Sequence, residues 1–349
     1  MKRLFYVIAL SAVLFSCKKD EEPTPVTPTT PTDYTHGTFT VNEGGFGNNN
    51  GGISYINASG TVVADLYFDV NGVGLGDVMQ SFTVIGTKGY AVVNNSQKVE
   101  VFDIRTFQHS ATISSISYPR HLLAVSSNTA YLTNGSMAGD VQVIDLSTNT
   151  VSTTIAVGNG PEKMVTNGTH VFVCNSGGWD LDNTVSVIEI ATNTVVETIT
   201  VGDRPMDAAI DADGDVWVIC SGNASWMTGG ETAAALYKID GTTFDIVSNQ
   251  TVGTLGQHPQ HIEVSPSGST IYYENEGVFA FEANGGTLPG NEIVTDARAS
   301  INVHPATGEI WCAGVSDFVN PSVVYKYSTT GTQEASYTTS LGTNAVVFN

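Results

Sequence analysis

The chain has 349 residues, 36 of them glycine, with 13% charged and a formal net charge of −21. A polyanion of this kind excludes nucleic-acid binding through phosphates. The low charge content, the many turn residues and the lack of a sustained 3.6-residue period exclude a helical architecture and leave an all-β chain.

Residues 1–16 read as a leader. Lys2 and Arg3 form a basic start, and Leu4 to Phe15 form an apolar run too short to span a membrane. Removing the leader takes away two positive charges and makes the net charge −23. Cys17 follows directly. The run resembles a bacterial lipoprotein signal, which implies acylation of Cys17. Lys18-Lys19-Asp20-Glu21-Glu22 resembles the surface-export signal of Bacteroidota-type lipoproteins. Pro23 to Asp33 has four prolines and five threonines in eleven residues, so residues 17–37 are expected to be an extended tether.

From residue 38 onward the chain consists of short runs rich in Val, Ile and Thr, separated by Asn/Gly/Asp clusters. These are strands and turns. Three runs come first: TFTVNE, GISYINA and TVVADLYF. A four-strand unit then recurs, each copy opened by a short polar motif. The openings are VMQS (78–81), YPRH (118–121), GPEK (160–163), RPMD (204–207), HPQH (258–261) and ARAS (297–300). The aligned positions Ser81, His121, Lys163, Asp207, His261, Ser300 and Asn344 are spaced 40, 42, 44, 54, 39 and 44 residues apart. A four-stranded unit at this spacing predicts a seven-bladed β-propeller over 38–349. The start lacks an opening strand and the end has one to spare. The C-terminal run is therefore expected to close the first blade as its innermost strand, leaving no free edge. Cys174, Cys220 and Cys312 end equivalent runs and read as small buried hydrophobes, not as disulfide or zinc cysteines.

The pattern VxVIDLxTNTVxxTIxVGxxP, at 141–161 and 185–205, resembles the YncE-like, surface-layer type of propeller. That pattern speaks to fold, not function. The segment Val41-Asn42-Glu43-Gly44-Gly45-Phe46-Gly47, followed by NNNGG and ISYIN, resembles the first blade of the BtuG type. Those are lipid-anchored surface propellers that capture cobalamin for an outer-membrane transporter. The resemblance implies a corrinoid ligand, a TonB-dependent transporter as partner, and outer-membrane localisation facing the exterior. Membrane attachment is expected through the lipid alone.

The binding face is expected where the innermost strands begin. Arg120, Lys163, Arg204 and Arg298 cluster there with His121, His258 and His261. They predict a cationic funnel, or alternatively ion pairs with Glu162 and Asp207 that staple blades together. The long loops on the same face present Phe46, Trp179, Trp226 and Phe318, which are broad, rigid contact groups. Asn48, Gln80, Asp180, Asp207 and Met227 join them as candidate ligand-binding residues. No cofactor or metal is expected. The Gly72-x-Gly74-x-Gly76 run lacks a strand-to-helix setting. Asp211-Ala212-Asp213-Gly214-Asp215 lacks the closing Glu of a calcium loop and reads as a hairpin turn. His258 and His261 point to opposite sides of a strand.

The favoured reading is a non-enzymatic capture protein for a bulky polar molecule. A siderophore-capture propeller, an extracellular polymer lyase or hydrolase, and a surface interaction module are the alternatives. An enzyme would need an acid/base constellation, for which His121, His261 and Asp207 are the local candidates.

Overall fold

The computed structural model describes residues 33–296 and 298–349. The leader, Cys17, most of the tether and Ala297 lie outside the described residues. Seven antiparallel sheets form the blades of a propeller. Their innermost strands are Thr343–Phe348, Met79–Ile85, Pro119–Ala124, Pro161–Thr166, Pro205–Ile210, Ile262–Val264 and Arg298–Val303, for blades 1 to 7 in turn. Blade 1 is closed as the arithmetic required: Thr343–Phe348 pairs with Thr38–Asn42, with Val347 opposite Phe39. In blade 6 the fourth position is held by a single bridge between Val278 and Val294.

Alternation along each strand places apolar side chains on both faces, because each blade is covered by a neighbour on either side. The outcome is seven apolar clusters, one per blade interface. The blade 1–2 cluster is the most aromatic, with Phe39 stacked on Phe107 and Phe82 on Phe102. Cys174 and Cys220 are buried and unbridged in the blade 4–5 cluster, and Cys312 in the blade 6–7 cluster.

One strand expectation fails. TVVADLYF is not a full strand: Val62–Val63 pairs, and Leu66–Asn71 forms a short α-helix. The Asp65 carboxylate caps it by accepting the Phe68 amide at 3.2 Å. Leu66 and Tyr67 then turn into the blade 1–2 core. The end of the tether also joins the fold, as Tyr34 packs edge-on against Tyr55 and Phe107. Among the described residues no helix is long and apolar enough to cross a membrane.

Candidate functional site

The repeat builds the site through its backbone. The residue before the innermost strand is left-handed in five blades: Val78, Tyr118, Gly160, Arg204 and Gly342, with φ between 47° and 70°. Strand starts are irregular in six blades, with register shifts at Met79/Ser81, Pro119/Leu122, Pro161/Met164, Pro205/Asp207 and Arg298/Ser300, and opposite Val41/Asn42 in blade 1. A bulge lets two successive side chains aim the same way. Hence Gln80 and Ser81, Arg120 and His121, and Glu162 and Lys163 all face one central cavity of about 410 Å³, as do Gln260 and His261 before the strand of blade 6. Six of the seven aligned positions line it, and the seventh, Asp207, lies just beneath.

The cavity's cations are paired. Arg120 Nε donates to Glu162 Oε2 at 2.9 Å, and its Nη1 donates to Gln80 Oε1 at 2.6 Å. Lys163 Nζ lies 2.6 Å from Asp207 Oδ2. These pairs tie blade 3 to blade 4 and blade 4 to blade 5. The stapling alternative therefore describes Arg120 and Lys163 better than an open cationic funnel does. Burial works to raise the Glu162 carboxyl, but Arg120 and His121 overcome it and hold it at about 2. Burial pushes His121 down, against the pull of Glu162 at 3.6 Å. Burial pushes Glu263, bonded to Asn302 behind the wall, up to about 7.

The other cations lie elsewhere. Arg204 reaches out to Met227 Sδ at 3.4 Å. Arg298 is buried across the Tyr325 ring, 4.4 Å from its centroid, and borders a separate pocket with Asp317 and Asn320. His258 is bound to the Ser221 carbonyl at 2.9 Å and does not line the cavity.

Two loops crown the cavity's end of the propeller. One joins Asn175 to Thr184 and the other joins Cys220 to Ala234. The first is tied down by Asp182, which accepts the Asn159 amide at 2.7 Å. Gly160 permits this closeness: a Cβ there would meet the Gly178 nitrogen at 2.0 Å. The second is cinched by Asp203, which accepts from Thr232 at 2.8 Å. Trp179 and Trp226 stand at the tips, 86% and 77% exposed. With Asp180, Leu181, Met227 and Thr228 they line a cleft of about 110 Å³. Phe46 and Asn48 are exposed on the blade 1 loop, and half-exposed Phe318 lies against Gly342.

The sequence pattern named Glu162 only as an ion-pair partner and missed Glu43, Gln260, Glu263 and Asn302 as wall or near-wall residues. Strict alternation assigns one inward residue per strand start, and the bulges supply the second. The Asp211–Asp215 turn is a filled site: Lys238 Nζ lies 3.1 Å from Asp211 and 2.9 Å from Asp215. Among the described residues no group of three or more His, Cys, Asp or Glu is placed to hold a metal ion.

The family described as "Domain of unknown function (DUF5074)" matches residues 36–340. No curated protein matches the chain in sequence. In structure the chain is similar to hydrazine synthase of Kuenenia stuttgartiensis, at 16% identity over 75% of this chain and 86% of that one, with a TM-score of 0.60. It is similar to a quinonprotein alcohol dehydrogenase-like protein from Bacteroides thetaiotaomicron, at 13% identity over 90% and 79%, with a TM-score of 0.68. It is also similar to a chain of the mitotic checkpoint complex, at 12% identity over 95% and 89%, with a TM-score of 0.60. At such identities the likeness is one of fold alone.

Proposed function

The chain belongs to the DUF5074 family, and from that footing we propose that it is a lipid-anchored surface protein that captures a bulky polar molecule. A corrinoid is the favoured ligand, on the resemblance of Val41–Gly52 to the BtuG type. Delivery goes to a TonB-dependent outer-membrane transporter, and the anchor is Cys17. The chain itself is read as a binder, not a catalyst.

One observation carries the reading. Two large, exposed indoles stand side by side on braced loops, at the end of the propeller where the polar cavity opens. Exposed tryptophans on rigid supports have little backbone entropy left to lose on binding, and each offers broad apolar area at about 25 cal/mol per Å². The cavity beneath supplies polar groups for orientation through Gln80, Arg120, Lys163 and His261.

Calorimetric titration with cyanocobalamin tests this. Trp179→Ala and Trp226→Ala should each weaken binding by roughly 30-fold, the effect of losing an anchor worth about 2 kcal/mol, with melting temperature nearly unchanged. Lys88→Ala, on a turn at the opposite end, should leave affinity as it is. Equal affinities in all three variants would refute the placement, and no heat with the parent protein would refute the corrinoid. Membrane fractionation checks the anchor: Cys17→Ala should leave the protein soluble or unprocessed.

A further inference from the structure

The central cavity has the opposite electrostatic sign from the one its lysine and arginine suggest. Both cations are already spent, Arg120 on Glu162 and Lys163 on Asp207. Two more carboxylates belong to the wall. Glu43 lines the cavity directly, and Glu263 stands behind Asn302, whose amide donates to it at 3.3 Å. Among the described residues neither makes a salt bridge. Arg120 and Lys163 are matched by Glu162 and Asp207, which leaves the carboxyls of Glu43, in the lining, and Glu263, behind it and partly protonated near neutrality, without a cation of their own.

The neutral groups point the same way. Ser300 is 1% exposed and lines the cavity, yet its hydroxyl has no hydrogen-bond partner. The amide oxygen of Asn344, also in the lining, is buried and unpartnered, while its nitrogen reaches the Met79 carbonyl at 3.5 Å. An amide oxygen only accepts, and so does a carboxylate. A buried amide oxygen without a donor costs free energy until something supplies a proton, and the Ser300 hydroxyl, which accepts as well as donates, can take a proton too. These groups are not scattered. Glu263 belongs to blade 6, Ser300 and Asn302 to blade 7, and Asn344 and Glu43 to blade 1, which are consecutive around the ring.

We propose that this arc is a binding site for a primary ammonium group carried by a small organic cation. Such a group has three donors and one positive charge, which answers both deficits at once. A cavity of about 410 Å³ holds the group and a short carbon chain. Anions of the same size are rejected, because Arg120 and Lys163 cannot be released from partners 2.9 and 2.6 Å away without stranding buried carboxylates. The arc shares its cavity with the polar groups proposed to orient the molecule captured at the tryptophan cleft, but none of its residues is one of those, so butylammonium binding is read without that molecule.

The test pairs two probes of equal length, n-butylammonium and butyrate, in ligand-observed NMR titrations of the intact protein. Butylammonium should bind and butyrate should not. Glu43→Gln, close to isosteric, should weaken butylammonium by about tenfold or more, as loss of a charge-assisted hydrogen bond requires, and Glu263→Gln, which removes a charge from behind Asn302, should weaken it by a smaller factor at pH 8. Trp179→Ala should leave butylammonium binding unchanged, so failure of the rim reading and failure of this one give different results. A crystal soaked with butylammonium should place its nitrogen within hydrogen-bond distance of Ser300 Oγ or Asn344 Oδ1. Butyrate binding as well as the amine, no binding of either probe, or full binding by both Gln variants would overturn the inference.

Discussion

The two arcs of the cavity wall carry the same repeat position and use it differently. On blades 3 to 5 that position is His121, Lys163 and Asp207, and the side chains reach across to the next blade. Lys163 meets Asp207, and Asp207 Oδ2 also accepts the Ile262 amide of blade 6 at 3.3 Å. On blades 7 and 1 the position is Ser300 and Asn344, and neither Ser300 Oγ nor Asn344 Oδ1 finds a partner. One arc is cross-braced, and the other has polar capacity to spare. A polar residue at a fixed place in a repeat therefore has no fixed meaning, because its neighbour on the next blade decides whether it braces or binds.

Substitution at the shared position gives the largest expected contrast. Asp207 is 3% exposed and holds an ammonium. Asp207→Ala leaves the half-buried Lys163 without its counter-ion and removes the acceptor of the Ile262 amide, which together cost about 2 kcal/mol or more. Ser300→Ala removes a buried hydroxyl that has no partner, so its cost should stay within about 0.5 kcal/mol. Denaturant unfolding of both variants measures the difference. Equal destabilisation would break the distinction between the arcs.

Periodic openings are a strong signal, so the number of blades and the closure by Thr343–Phe348 were legible. Exposed Trp179 and Trp226 were legible too, because large aromatics in Gly/Asn-rich loops have no core to enter. Pairing was not legible. Whether Arg120 meets Glu162 or a ligand depends on the register at Pro119 and Pro161, and a bulge changes it without marking the sequence. The same holds for Arg298, whose place in the repeat suggests the cavity but whose guanidinium packs on Tyr325. The Leu66–Asn71 helix escaped because six residues are too few to show a period.

A pH-dependent effect sharpens the comparison most, because it reads the charge of the open arc directly. Burial, with Asp207 adding to it, pushes Glu263 up to about 7 from an ordinary 4.5, while Lys163 and Asn302 pull it back. Its folded pKa thus lies above its unfolded one. Between those values the native state holds a proton that the unfolded state has released, so this group's contribution to stability is full below about 4.5 and is lost as pH rises through about 7. Glutamine cannot lose that proton. Glu263→Gln should match the parent near pH 4.5 and become more stable by on the order of 2 kcal/mol above pH 7. Unfolding curves of the two proteins across that range give the difference directly. A constant offset, or a variant that is less stable at pH 8, would mean that Glu263 is braced after all and that the arc of blades 6, 7 and 1 resembles its opposite. A variant more stable at pH 8 and yet blind to butylammonium would show that the carboxylate is kept at the expense of the fold.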